Sequence, residues 1–229
     1  MTEFKPRFRI LWREWFQPIL IIVLIATTFR SAIADWNDVP TGSMKPTILE
    51  GDRIFVNKLA YDLRVPFTTK HLLSWADPDR GDIVVLNSPG DKTRLVKRVV
   101  GLPGDTVAMV ANHLVVNRQP IEYELMSASA EYPSPSSEPR ILVLEDLGSL
   151  THTVMLTPGL PSAHSFGPIL IPKDHYFVMG DNRDRSHDSR HFGFVERSAI
   201  LGRATAVAAS VNPERHYRPR WERFFTALR

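Results

Sequence analysis

Short apolar runs separated by turn residues fill most of the chain after Trp36. Arg53-Ile54-Phe55-Val56-Asn57-Lys58, Asp82-Ile83-Val84-Val85-Leu86-Asn87 and Arg94-Leu95-Val96-Lys97-Arg98-Val99-Val100 have strand length and β-branched content, and predict strands. Ser88-Pro89-Gly90-Asp91 and Leu102-Pro103-Gly104-Asp105 read as turns between such runs. Val107-Ala108-Met109-Val110 and Leu114-Val115-Val116 flank Ala111-Asn112-His113 and predict a hairpin. Trp36 to Gly42 reads as an extended loop. This spacing predicts a mostly β, antiparallel fold.

The pattern changes from about Ile121 to Pro172, a stretch that reads as an insertion. Within it, Tyr132 to Pro139 is low-complexity loop, while Ile141-Leu142-Val143-Leu144 and Thr153-Val154-Met155-Leu156 predict a small hairpin. Core-like sequence resumes at His175-Tyr176-Phe177-Val178-Met179 and closes with Ala199 to Ala209. Trp221, Phe224, Phe225 and Leu228 then recur at i, i+3, i+4, i+7 with arginines between them. That predicts an amphipathic C-terminal helix with a basic side, packed on the domain or lying on a membrane surface.

The N-terminus carries a different pattern. Lys5, Arg7, Arg9 and Arg13 precede an apolar run from Phe16 to Phe29, closed by Arg30. The run is shorter than the roughly 20 residues of a straight span. Ser31-Ala32-Ile33-Ala34 and a snorkelling Arg30 bring it near that length, and Trp12, Trp15 and Trp36 bracket it as an aromatic belt would. A retained anchor, a cleaved secretory signal and a buried core helix all fit this segment, and Arg30 beside the would-be cleavage point favours the anchor. The basic flank puts the N-terminus in the cytoplasm. The expected organisation is a cytoplasmic segment 1–15, an anchor 16–35, a β core 36–120, an inserted β/loop subdomain 121–172, a second core part 173–210, and a basic amphipathic tail 211–229.

Composition narrows the classes. The 229 residues carry a formal charge of +3 without any dense Lys/Arg run, which is no nucleic-acid signature. There is no cysteine, so disulfides, thiol nucleophiles and Cys-based zinc sites are excluded. The eighteen prolines favour turns and extended segments over long helices.

Four segments carry candidate chemistry. They are Pro40-Thr41-Gly42-Ser43-Met44-Lys45-Pro46-Thr47, Gly51-Asp52 before the first strand, Lys97-Arg98-Val99-Val100-Gly101-Leu102-Pro103-Gly104-Asp105, and Gly180-Asp181-Asn182-Arg183-Asp184-Arg185-Ser186-His187-Asp188-Ser189-Arg190. Taken singly each is weak: Ser43 reads as a turn serine and Lys97 as a solvated edge lysine. The last segment fails as a calcium loop, with Ser186 at the sixth position and Phe192 at the twelfth. His187 and His191 lack the Glu and third ligand of a zinc site, so no metal and no cofactor is expected. His113, His152 and His164 are expected at the surface. A Ser-His-Asp triad is not excluded by counting, but no Gly-x-Ser-x-Gly elbow is present.

In this order the four segments resemble the bacterial type I signal peptidases, over about Pro40 to Val110 and again from Tyr176 to Val195. The resemblance implies a signal-peptidase-type antiparallel β core behind one transmembrane helix. It also implies a serine endopeptidase with Ser43 as nucleophile and neutral Lys97 as general base. A lysine amine is protonated near neutrality unless burial lowers its pKa, and Leu95, Val96, Val99 and Val100 supply apolar sequence around it. By the same resemblance Ser186 orients the amine. Thr41, where the family more often has serine, gives the oxyanion a hydroxyl beside the Ser43 N–H. Arg98 pairs with Asp181, and Asp188 and Arg190 brace the dyad. Val39, Pro40, Met44, Ile48 and Val96 line shallow pockets for small residues of an Ala-x-Ala site.

The implied partners are exported preproteins bearing signal peptides and the lipid bilayer, with the chain a monomer that binds no nucleic acid. The implied location is the bacterial inner membrane, single-pass, with the catalytic domain on the trans side. A dedicated pilin-maturing relative shares the dyad and stays open. A self-cleaving repressor-type protease is disfavoured by the apolar N-terminus, and a non-catalytic binding module by Ser43, Lys97 and Ser186 occurring together.

Overall fold

β-branched runs form the spine of the molecule, a computed structural model that describes residues 12–65, 68, 71–126 and 139–229. Lys5, Arg7 and Arg9 and the low-complexity stretch up to Glu138 lie outside the described residues. A π-helical turn at Trp12–Phe16 leads into helix α1 (Gln17–Ala32). Strands β1 (Ala34–Asp38) and β2 (Asp52–Asn57) follow, then β3 (Asp62–Arg64) and β4 (His71–Ser74), then β5 (Ile83–Asn87) and β6 (Arg94–Gly101). Next come β7 (Thr106–Val110), β8 (His113–Val116), β9 (Gln119–Pro120) and β10 (Glu122–Leu125). After the undescribed stretch come β11 (Ile141–Asp146), β12 (Thr151–Leu156), β13 (Phe166–Leu170) and β14 (His175–Met179). A short α2 (Ser189–Phe192), β15 (Val195–Glu196), the long β16 (Ile200–Asn212), β17 (Arg218–Pro219) and β18 (Thr226–Ala227) complete the chain.

The main sheet runs β1-β2-β16-β5-β6-β14-β15, antiparallel throughout, with β17 and β18 also on β16. The strands expected from 53, 82, 94, 175 and 199 are all members. β5 is central, so Ile83, Val84, Val85 and Leu86 are buried on both faces and the run has no alternation. β2 alternates, with Ile54 and Val56 buried and Arg53 exposed. Register shifts where β16 meets β2 and β5 let this one strand serve both neighbours. The 107–116 hairpin forms as expected: Ala111 and Asn112 both have positive φ, the two-residue turn whose twist suits antiparallel strands. With β9 and β13 it makes a second sheet, in the order β13-β7-β8-β9.

The 141–156 hairpin also forms, joined by β10 into a three-stranded sheet β10-β11-β12. The rest of the 121–172 stretch does not stay apart, because β13 pairs with β7 of the core.

Three expectations change. Ala34–Asp38 is not loop but an edge strand on β2. No helix among the described residues is long and apolar enough to cross a membrane; α1 ends at Ala32, where β1 begins to recruit the backbone. The C-terminal tail is not a helix. Trp221–Arg223 is a single 3-10 turn, Phe225 takes a left-handed φ of 57°, and Thr226 and Ala227 hydrogen-bond to β16. Leu228 is buried among Ile54, Ile83 and Val207, while Trp221 and Phe225 are exposed. The physical reason is Arg223: its guanidinium turns inward to the fully buried Asp52 at 2.6 Å, where an amphipathic helix would have sent it to solvent.

Candidate active site

The loop between β1 and β2 folds tightly on itself. Lys45 N donates to Gly42 O, Ile48 N to Met44 O, and Gly51 N to Val39 O. Val39, Met44 and Ile48 plug into the core with Ile54 and Val56, which leaves Ser43 half-buried on the rim. Met44 and Ile48 are thus closed off in the core, Pro40 is exposed, and Val96 is half-buried beside the same cluster. Thr41 is exposed, two residues before Ser43.

The segment after β14 grips this loop from the other side. Asn182 N donates to Ser43 O and Asn182 Nδ2 to Gly42 O, each at 3.0 Å. Gly180 leaves no room for a side chain: a Cβ there would lie 2.4 Å from Ser43 O and 2.3 Å from Ser186 Oγ. The Ser43 backbone does not yield as a flexible side chain does. Gly180→Ala is therefore expected to slow turnover at least about 100-fold, the scale of an ångström's misplacement of reacting groups. Steady-state kinetics of the folded variant check this; a parental rate would show that the close approach is not required.

Lys97 enters from β6, opposite Val84 in register. Its side chain is 2% exposed, and Nζ lies 2.7 Å from Ser43 Oγ and 3.1 Å from Val96 O. Burial lowers its pKa to about 8; the carboxylates of Asp188 and Asp181 oppose that, and Arg190 adds to it. At this distance an amine in its neutral form can accept a hydroxyl proton, the geometry that a serine nucleophile and its base require.

Two buried forks brace the surroundings. Arg98 donates to both oxygens of Asp181, at 2.9 and 2.8 Å, and Arg190 to both oxygens of Asp188, at 2.8 and 2.9 Å. Asp181 also accepts from Thr47 Oγ1 at 2.5 Å, and Asp188 from Gly180 N at 3.0 Å. Arg98 holds the Asp181 carboxyl, and Arg190 the Asp188 carboxyl, below the usual range although burial opposes both.

Two site expectations need correction. Ser186 does not hydrogen-bond the lysine amine. Its buried Oγ has no hydrogen-bond partner, though it lies near enough to Asp188 to favour that carboxylate's charge. Val96 O is the amine's second contact instead. His152 is not at the surface: it is 6% exposed, with Nε2 3.4 Å from Glu145 and 3.6 Å from Asp181. Burial pushes its pKa down to about 4, so the ring is neutral near neutrality. His113 is exposed and His164 partly so. His187 and His191 stack at 5.2 Å, and among the described residues no three His, Cys, Asp or Glu side chains are grouped to hold a metal ion.

Sequence reasoning missed Asn182, Thr47, Glu145 and the Arg223–Asp52 pair. Asn182 was visible only as a would-be calcium ligand. Nothing in the local pattern around Glu145, 36 residues before Asp181, points to the site.

Comparison with known proteins bears on these geometries. A family profile described as "Signal peptidase, peptidase S26" matches residues 12–209. A signal peptidase I of Pseudomonas fluorescens is 37% identical over 204 residues, covering 84% of this chain and 69% of that one. Signal peptidase I P of Bacillus subtilis subsp. natto is 35% identical over 200 residues, covering 87% and 88%. A crystal structure of a signal peptidase I from Enterococcus faecalis is 30% identical and covers 58% of this chain and 100% of that one, at a TM-score of 0.36.

Proposed function

The chain belongs to the signal peptidase family, peptidase S26, and we propose that it cleaves signal peptides from exported preproteins by Ser43/Lys97 acyl-enzyme chemistry. The observation that carries this reading is a lysine amine, almost fully withdrawn from water, 2.7 Å from a serine hydroxyl.

In the first half-reaction Lys97 Nζ takes the Ser43 proton as Oγ attacks the scissile carbonyl carbon. The oxyanion is received by the Ser43 N–H and the Thr41 hydroxyl. The ammonium then gives its proton to the departing amine as the C–N bond breaks. This leaves an ester on Ser43 and frees the mature protein. In the second half-reaction the amine deprotonates a water, which displaces Ser43 Oγ, and the proton returns to the serine. Exposed Pro40 and half-buried Val96, backed by the buried Val39, Met44 and Ile48, give shallow apolar ground that suits the small side chains of an Ala-x-Ala site and rejects larger ones by clash. Neither a cofactor nor a metal enters the scheme.

A membrane tether through α1 belongs to the same reading, with the catalytic domain on the trans side and the chain acting as a monomer. It is supported by residues 19–24, six apolar side chains in a row that are all exposed. They span more than a full helical turn, so every side of that part of α1 is bare.

The test is cleavage of an Ala-x-Ala precursor by the detergent-solubilised chain and by its Ser43→Ala variant. Processing by the parent and none by the variant is expected; equal processing would sink the assignment. The pH profile follows from Lys97. Its protonated form is inactive and empties as pH rises through about 8, so kcat/KM is expected to climb with pH through that value. A rate that is flat from pH 6.5 to 9.5, roughly the titration span of such an amine, would exclude Lys97 as the base.

A further inference from the structure

The inserted sheet reaches into the braces around the dyad. Met155 N, on β12, donates to Asp181 O at 2.8 Å, and Met155 forms a parallel bridge with Asn182. Thr157 N donates to Asp184 Oδ2 at 2.6 Å. From β11, fully buried Glu145 takes the Arg183 guanidinium on one oxygen and the Tyr123 hydroxyl, from β10, on the other. Arg183 is itself 1% exposed. His152, opposite Glu145 in the β11–β12 register, packs its Nε2 3.4 Å from Glu145 and 3.6 Å from Asp181 without a hydrogen bond to either. Each of the three strands thus sends a polar side chain, buried for Glu145 and His152 and half-buried for Tyr123, toward the segment that holds Ser43 and the partner of Arg98.

We propose that the inserted sheet is a positioning element for the peptidase reaction, in which Glu145 holds Arg183 and the neutral His152 ring packs against Asp181, so that residues 180–184 keep Ser43 against Lys97. The inference rests on the Ser43/Lys97 reading. Burial of so much charge is a weak source of stability, because desolvation offsets most of the attraction; what the pairs supply is fixed geometry. Neutral His152 is faced by Asp181, Arg98, Glu145 and Arg183, two acids and two arginines, so its ring sits in a balanced cluster. Asn182, between Asp181 and Arg183, carries the restraint to the nucleophile through its bonds to Gly42 and Ser43.

The test uses the full chain with Glu145→Gln and His152→Phe. Melting temperature, kcat, KM and the pH midpoint of kcat/KM are read at a temperature where each variant is folded. The groups facing Lys97 are Asp188, Asp181 and Arg190, so that midpoint reports on their placement. Positioning predicts that kcat falls at least about 10-fold with KM within about 2-fold, and that the midpoint moves from about 8 by at least about half a unit. A lower melting temperature with parental kcat and midpoint overturns the proposal and leaves the sheet a stabiliser only. If Glu145→Gln does not fold, Glu145→Leu with Arg183→Met removes both buried charges together, and the same two outcomes decide. Should the parent process precursor equally well with Ser43→Ala, the dyad reading itself fails, whatever the Glu145 variants do.

Discussion

Lys97→Arg is expected to process an Ala-x-Ala precursor at least about 1,000-fold more slowly than the parent chain, the scale of losing a general base that acts as a unit with its nucleophile. The substitution keeps a cation and much of the side-chain length. It fails because a guanidinium does not give up its proton at any accessible pH, whereas the Lys97 amine is poised at about 8. Lys97→Met is expected to lose as much activity but to gain stability. Folding brings the amine's pKa from the ordinary 10.5 down to about 8. Between those values the unfolded chain binds the proton that the folded one has lost, so parent stability rises with pH across that window. Below about 8 the folded chain must carry a buried charge, at a cost of about 3 kcal/mol. Methionine removes that cost, so at pH 7 the variant is expected to unfold at higher urea. Near-parental cleavage by either variant would reject the dyad. An inactive Lys97→Met that unfolds more easily than the parent would instead show that the amine is not buried at a loss.

Asp181→Ala is expected to destabilise the chain by about 3–5 kcal/mol, a large share of a domain's stability. Arg98 is 1% exposed and spends two donors on this carboxylate. Removing it strands a guanidinium where water cannot follow, and also frees the Thr47 hydroxyl. The control is Arg98→Met combined with Asp181→Leu, which takes both charges out and is expected to recover most of the loss. Urea midpoints of the two variants measure the difference; equal midpoints would mean that the pair is not the source. Asp181→Asn, which keeps the shape, adds a kinetic sign. Asp181 raises the Lys97 pKa, so its neutral replacement is expected to move the midpoint of the kcat/KM profile below about 8. An upward move would mean that the variant had let water reach the amine.

These expectations share one physical theme. The proposed dyad asks for an uncharged lysine, and the chain encloses the amine while two nearby carboxylates limit the descent of its pKa. Each carboxylate is itself kept ionised by a bidentate arginine, so both have their counter-charge within hydrogen-bond reach. The inserted sheet extends that arrangement by one more pair, Glu145 with Arg183.

What the sequence determined by itself was the strand content and the local turns, because these depend on neighbours a few residues apart. β-branched runs such as Ile83 to Leu86 form strands wherever they are buried, and Ala111-Asn112 turns a hairpin through its own backbone angles. Ser43 and Lys97 were legible for another reason: each lies in a short segment whose residue order is specific when the four segments are taken together. Tertiary structure alone decided what depends on distance in space. The tail repeated a helical period, but Arg223 found a better partner in Asp52, 171 residues earlier. Phe225 then turned left-handed to let Leu228 into the core. His152 looked like any surface histidine until two strands and the 180–184 segment closed over it. Ser186 matched a motif position, yet its hydroxyl ends beside Asp188 without reaching the amine. Periodicity records which face of an element is apolar. It carries no record of which buried charge lies across the fold, and at this site burial lowers the lysine's pKa while those charges limit the fall.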